Sequence, residues 1–262
     1  MKTFINKPWI IKYGRKLMVI FFWLLLWELL SRWIGHAMLL PSPIGVFGAL
    51  IEFGATVDFW CAIIFSSLRI ILGFFLALLI GTMLAVIAYK SKLIKELLTP
   101  LIKMIQAMPV ASFIILALIW IKAKNLSVLI SFLMVMPLIF TNMIKGLETT
   151  DEKLLEMAKV FQVSKRKQIR AIYIPAIKPH FIAAISVGMG FCWKAGIAAE
   201  VIGIPAGSIG ANLYEAKLYL MTKELFAWTV VIIVISIIFE KAVMLLLQIP
   251  QRQAFQRKLR DK

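Results

Sequence analysis

Hydrophobic residues fall in long runs along this chain, and polar residues are concentrated in the connections between the runs. A helix needs about 20 mostly apolar residues to cross roughly 30 Å of hydrocarbon. The segments that qualify are about 17–34, 60–89, 100–121, 126–145, 179–203 and 226–248. The pattern therefore predicts an all-α fold, a polytopic transmembrane helical bundle of about six spans that forms one transmembrane domain over residues 1–262.

The third apolar segment has the weakest pattern, because Lys103, Gln106 and Pro109 interrupt it. Proline disfavours a helical backbone at the residue that precedes it. A second interpretation of this stretch is therefore a short surface helix over 92–106, followed by a span that begins near Met108.

Basic residues are concentrated in the two tails and in the connections 90–95 and 151–178. Cytoplasmic loops of membrane proteins carry an excess of Lys and Arg. Six spans place all four basic segments on one side, which predicts cytoplasmic N- and C-termini. The opposite loops are poor in basic residues, apart from Lys122 and Lys124. Tryptophan favours the headgroup level, and the predicted outer ends of the spans carry Trp33, Trp60, Trp120 and Trp228.

Composition agrees with a membrane protein: 61% of the 262 residues are hydrophobic and 16% are charged, against roughly half and a quarter in soluble domains. The net charge of +17 would suggest nucleic acid in a soluble protein. Here no basic stripe carries interleaved exposed aromatics, so the predicted partner is membrane lipid and not nucleic acid. The spacing of the two cysteines and two histidines predicts neither a metal site nor a cofactor. The first apolar run lacks a small-residue cleavage pattern and is expected to be a retained span.

The connection 149–177 is too polar to span and too regularly patterned to be a plain linker. Thr149 followed by Glu152 fits a capping box that starts a helix. Apolar residues then recur at helical spacing, at Leu154, Leu155, Met157, Ala158 and Phe161. A second short helix is expected to start at Ser164 and to end before Pro175. An amphipathic helix between two spans either lies on the membrane surface or fits a groove on a partner protein.

This connection resembles the loop E-A-A-x3-G-x9-I-x-L-P of the inner-membrane permease subunits of ABC importers. The motif positions are occupied here by Glu156, Met157, Ala158, Gln162, Ile172, Ile174 and Pro175. Met157 for Ala and Ile174 for Leu are mild departures, whereas Gln162 stands where the family has a glycine at the turn between two short helices. A left-handed backbone costs a non-glycine residue about 1–2 kcal/mol, so either the turn differs here or Gln162 tolerates it.

Four further segments look like the nitrate/sulfonate/taurine type of these permeases, and they occur in the family order: LLPSPIGVFGAL at 39–50, SLRIILGF at 67–74, QAMPVASFI at 106–114 and KAGIAAEVIG at 194–203. The resemblance implies a multi-pass protein of the cell membrane. It further implies a homodimer of permease subunits, a cytoplasmic ATP-binding subunit and an extracytoplasmic substrate-binding protein. The solute it implies is a sulfonate, taurine or nitrate-like anion, or a vitamin precursor.

The same resemblance places the ATPase contact in the 149–177 loop. The residues it implies for that contact are Leu154, Glu156, Met157, Ala158, Phe161, Gln162, Ile172, Ile174 and Pro175. The sequence contains no phosphate loop of the form G-x-x-x-x-G-K-[ST]. The chain is therefore expected to have no catalytic residues, and ATP hydrolysis is expected in a separate subunit.

Charged residues inside spans are costly and mark functional sites by default. Glu28 and Arg32 are spaced for an i,i+4 pair. Arg69, Lys194 and Glu200 lie deeper in their spans. An Arg69–Glu200 pair would offset the desolvation of both groups, so these residues either support the bundle or form a pathway or gate. Beyond them, the glycines and proline of segment 203–210 predict a turn, a re-entrant element or a plain surface loop.

A membrane enzyme and a stand-alone channel or secondary carrier are the two alternatives to an importer permease. A membrane enzyme needs titratable residues clustered at one depth, such as H-E-x-x-H. A secondary carrier often shows internal repeats. Neither feature is visible in this sequence, which favours the importer permease.

Overall fold

The computed structural model describes residues 7–260, with side chains described at residues 14–15 and 17–247. Two residues of the predicted basic tails, Lys2 and Lys262, lie outside the described residues. The described chain is helical without a strand. Its helices are α1 (Lys7–Ile34), α2 (Pro43–Gly54), α3 (Val57–Lys90), α4 (Lys92–Ala107), α5 (Val110–Ala117), α6 (Ala123–Glu148), α7 (Glu152–Val160), α8 (Lys165–Gln168), α9 (Ile174–Gly203), α10 (Ile209–Leu218) and α11 (Thr222–Arg260).

Five helical segments of the described chain are long and apolar enough to cross a membrane, and a sixth crossing is possible only as a broken pair. The five are Leu17–Ile34, Val57–Lys90, Ala123–Glu148, Lys165–Gly203 and Thr222–Leu247. The predicted all-α polytopic bundle is confirmed. The continuous span expected over 100–121 is wrong, because α4 and α5 meet there at an angle of 102°.

The break between α4 and α5 follows from the local chemistry of proline. Met108 and Pro109 are both extended, with ψ of 129° and 123°. Proline has no N–H to donate, and its ring disfavours helical backbone at the preceding residue. The surface-helix interpretation located this break correctly, although the helix that follows it has only 8 residues. Helix α4 carries an exposed apolar stripe, made of Leu93, Leu97, Leu101 and Met104.

Helices α3, α6 and α9 pack together through glycines. A Cβ atom added to Gly73 of α3 would lie 2.5 Å from the carbonyl oxygen of Val128 in α6. One added to Gly196 of α9 would lie 2.6 Å from the hydroxyl of Ser131, also in α6. Small residues of this kind let transmembrane backbones approach closely. The Ser131 hydroxyl then donates a hydrogen bond of 3.0 Å to the carbonyl of Cys192, which links α6 to α9.

A second compact group comprises the described residues 7–60 together with 212–231. Ser42 caps α2 by accepting a hydrogen bond from the Gly45 N–H at 3.1 Å, and Pro43 occupies a first-turn position that needs no N–H. Phe53, Phe59 and Trp228 stack with ring centroids 5.0–6.3 Å apart. Trp228 is therefore buried within the chain, at 5% exposure, and its place at the headgroup level stays a prediction.

The other three tryptophans of that prediction, Trp33, Trp60 and Trp120, are exposed within the chain. The expected i,i+4 pair is confirmed, because Arg32 donates to Glu28 at 2.7 Å.

Candidate functional site

The connection between α6 and α9 begins with a capped helix, although the cap is not the predicted one. Asp151 is the N-cap of α7, and its carboxylate accepts a hydrogen bond of 2.9 Å from the Lys153 N–H. The capping box expected at Thr149 is wrong, because Thr149 ends α6 and its hydroxyl donates to the Gly146 carbonyl at 3.1 Å. Aspartate caps as well as threonine does, so the helix starts where Asp151 allows it.

Gln162 adopts the left-handed conformation that the family motif assigns to glycine, with φ of 49°. The Val163 N–H donates to the Ala158 carbonyl at 2.8 Å, and the Gln162 N–H donates to the Lys159 carbonyl at 3.1 Å. These two bonds define a Schellman motif, the usual way to end a helix before a sharp turn. Gln162 therefore adopts the left-handed backbone without being a glycine.

The apolar residues of α7 differ in how far the rest of the chain covers them. Leu154, Met157 and Phe161 are 42%, 50% and 75% exposed, and their spacing of three and four places them on one face. Ala158 is only 2% exposed, so the rest of the chain covers it. Ala158 follows Leu154 by four residues and precedes Phe161 by three, so it lies on the same face. The predicted contact residues therefore form one apolar face of exposed side chains around a covered alanine. Glu156 is exposed as well.

The second half of the connection continues directly into the long helix α9. Ser164 precedes α8 as expected, but the helix does not end before Pro175. A π-helical turn over Ile169–Tyr173 joins α8 to α9. Pro175 then occupies the first turn of α9, and the wider turn before it accommodates the missing N–H. Ile172 lies inside this turn and Ile174 begins α9, where it is 52% exposed.

Glu200 is fully buried near the end of α9, and its carboxylate holds the start of α10. Its Oε2 atom accepts a hydrogen bond from the Ser66 hydroxyl at 2.6 Å and one from the Gly210 N–H at 3.3 Å. The same Ser66 oxygen accepts from the Ile209 N–H at 2.9 Å. Two N–H groups at the helix start, which have no partner within the helix, are thus satisfied by side chains of α3 and α9.

The segment between α9 and α10 is a tight turn followed by a helix. Ile204 and Gly207 have positive φ angles of 47° and 71°. A Cβ atom at Gly210 would lie 2.3 Å from the Cβ of Glu200, so only glycine fits there. The plain surface loop considered for this stretch is therefore wrong beyond Ser208.

The expected Arg69–Glu200 ion pair is not formed. No salt bridge joins the two within 4.0 Å among the described side chains. The Arg69 guanidinium instead lies over the Phe65 ring, 3.2 Å from its centroid, as in a cation–π contact. One guanidinium nitrogen of Arg69 and the Oε1 atom of Glu200 have no hydrogen-bond partner. The partner of Glu200 is Ser66, which was not predicted. The polar Ser66–Ser67 pair in an apolar run was the available signal.

Lys194 lies on the open side of α9. It is exposed, and the positions one, two and three turns before it along the same face are exposed as well: Phe191, Gly190, Val187 and Ala183. Lys194 precedes the end of α9 by nine residues, which is about 14 Å along the helix. This face of α9 therefore combines small and apolar residues with one charge far from the helix end.

Comparison with known proteins agrees with these features. A family model described as binding-protein-dependent transport system inner membrane component matches residues 77–253. A candidate aliphatic sulfonates transport permease protein of Bacillus subtilis is 26% identical over 212 residues, which cover 80% of this chain and 76% of that protein. The taurine transport system permease protein of Escherichia coli is 22% identical, with 82% and 80% covered. The nitrate import permease protein of Synechocystis is 24% identical, with 96% and 94% covered.

Proposed function

We propose how the residues of this chain divide the work of import, since the chain belongs to the family of binding-protein-dependent transport system inner membrane components. It is a multi-pass transport permease of the cell membrane. As one permease domain, it forms half of a translocation pathway and pairs with a second copy of itself. A separate ATP-binding subunit supplies the energy from the cytoplasm. An extracytoplasmic binding protein delivers the solute.

The exposed face of α7 is the proposed contact with the ATP-binding subunit. Leu154, Met157 and Phe161 form an apolar face on a helix that is capped at its start by Asp151 and closed at its end by the Gln162 turn. An amphipathic helix of this kind fits an apolar groove on a partner. The Gln162 turn joins α7 to α8, and α8 continues into the spanning helix α9 without a break. We therefore expect a movement of the docked helix to reach a span. This exposed face is the observation that carries the proposal.

The second proposed site is the open face of α9 around Lys194. An exposed lysine well inside a span is costly against lipid, so such residues face a bundle interior or a water-filled path. We assign this face to the pathway between two copies. Its single positive charge favours a small anion such as a sulfonate, taurine or nitrate, and a vitamin precursor with an anionic group is the alternative.

The coupling proposal is tested by truncating Phe161 and measuring how much ATP-binding subunit stays with the purified permease. Fully burying a phenylalanine contributes about 1.5–3 kcal/mol, and Phe161 is 75% exposed in the chain alone. Phe161→Ala should therefore weaken the association about 5–30-fold. Lys159→Ala is the matched control, because Lys159 is exposed on the opposite side of α7.

Two results separate the alternatives. Loss of the ATP-binding subunit from Phe161→Ala but not from Lys159→Ala supports the docking contact. Equal retention in both variants removes this face from the coupling mechanism. A helix lying on the membrane surface then becomes the better interpretation of α7.

A further inference from the structure

An apolar groove runs between α3 and α6 on the surface of the α3–α6–α9 packing. Its volume is about 890 Å³, and its walls are formed by Leu72, Leu76 and Ile80 of α3 and by Val128, Leu129 and Phe132 of α6. The groove exists because Gly73 brings the two backbones together, while the larger side chains on either side of the contact stand away from it. Its occupant must therefore be apolar over most of its length.

One end of this groove has the opposite chemistry. Lys122, Lys124, Asn125 and Trp120 line it, and all four are exposed. Lys122 and Lys124 are two of the few basic residues in their set of loops. Neither has an acidic partner within 4.0 Å among the described side chains. This end thus offers two ammonium groups, an amide and an indole N–H, with no carboxylate in the lining.

We propose that the α3–α6 groove binds one anionic phospholipid, with its phosphate at Lys122 and Lys124 and an acyl chain along Leu76 and Phe132. Lysine clusters beside spans attract anionic headgroups, and tryptophan favours the headgroup level. The lipid serves as a structural ligand that covers the groove. This inference adds a ligand to the permease and does not depend on which solute is transported.

Charge and shape favour a lipid over two other occupants. A free anion fills only the basic end and leaves the apolar walls uncovered. A second copy of the chain carries the same lysines and a net charge of +17, so it brings no complementary charge to this end. An amphiphile with one anionic head matches both halves of the groove.

The test compares lipids bound to the purified full-length permease by native mass spectrometry and thermal unfolding. The probes are phosphatidylglycerol and phosphatidylcholine of the same acyl composition. Wild-type protein should retain phosphatidylglycerol preferentially and unfold at a higher temperature with it. Replacing both lysines by glutamine should weaken this binding about 25-fold, because each lysine near an anionic lipid headgroup contributes about fivefold.

A second variant tests the groove independently of charge. Leu76→Trp fills the apolar channel and should also abolish the phosphatidylglycerol preference, whereas Leu79→Trp should not, because Leu79 is exposed on α3 outside the groove. Lys217→Gln with Lys223→Gln is the matched control for charge and should leave the preference intact. Retention of the preference in both the lysine and Leu76 variants overturns the proposal. Equal stabilisation by inorganic phosphate without lipid overturns it as well, since a soluble-anion site is then the explanation.

Discussion

Replacing Gln162 by glycine should stabilise the turn after α7, whereas glycine in a helix is usually destabilising. Gln162→Gly removes the Cβ from a residue with φ of 49°. The left-handed backbone costs a non-glycine residue about 1–2 kcal/mol. Glycine also has greater backbone freedom when the turn is unfolded, which offsets roughly 0.5–1 kcal/mol of the strain relieved. The substitution should therefore stabilise the end of α7 by about 0.5–1 kcal/mol, which is about a 2–5-fold change in its opening equilibrium.

Hydrogen exchange in the 155–165 region of the reconstituted permease measures this equilibrium directly. The Val163 amide donates to Ala158 in the turn, so its exchange should slow about 2–5-fold in Gln162→Gly. Gln162→Ala keeps the Cβ and should leave the rate nearly unchanged. Lys159→Gly places glycine at a helical position of α7 and should speed exchange about fivefold, because glycine costs about 1 kcal/mol there.

Exchange in Gln162→Gly that is as fast as in the wild type would refute this reasoning. It would mean that contacts of the Gln162 side chain offset the strain. Faster exchange in Gln162→Ala than in the wild type would identify the same cause.

Three further outcomes follow from the structure. Ser66→Ala removes the partner of the buried Ile209 N–H and the shorter of the two hydrogen bonds to Glu200. It should lower stability by about 2–4 kcal/mol, measured as a lower Tm of the purified chain, and an equal Tm would contradict this. Ala158→Asp should lower both the amount of folded permease in membranes and its binding of the ATPase, because Ala158 is buried in its own chain and an unpaired buried charge is costly. A normal amount of permease with loss of the ATPase alone would instead place Ala158 in the docking contact. A cysteine at Lys258, in a chain without other cysteines, should react with an impermeant reagent only after the membrane is opened; labelling in intact cells would reverse the predicted orientation.

The features that could be predicted from the sequence are those set by local pattern. Each candidate span is a long apolar run, and helix length in a membrane is fixed by the hydrocarbon thickness. The α7 turn could also be anticipated, because the motif spacing places Gln162 where a left-handed residue is needed. The sequence also indicated a break at Met108 as the alternative to one continuous span over 100–121, since proline restricts its neighbour through local sterics alone.

The features that could not be predicted depend on residues far apart in the chain. Ser66 and Glu200 are 134 positions apart, and nothing in either neighbourhood indicates that both hold the start of α10. Arg69 was assigned to Glu200 by charge, whereas Phe65 on its own helix provides the contact. Helical periodicity identified the apolar residues of α7 correctly. It does not show that, on one face, Ala158 is covered by the chain whereas Phe161 stays exposed.

Crosslinking from Phe161 tests most directly whether the open face of α7 contacts the ATP-binding subunit. A photoreactive amino acid is placed at Phe161 in the full-length permease and activated in intact cells, with the same amino acid at Lys159 as the control. We expect the Phe161 position to capture a protein that carries the phosphate loop G-x-x-x-x-G-K-[ST], and the Lys159 position to capture far less of it. Capture of lipid alone from Phe161, or equal capture of that protein from both positions, would contradict the account.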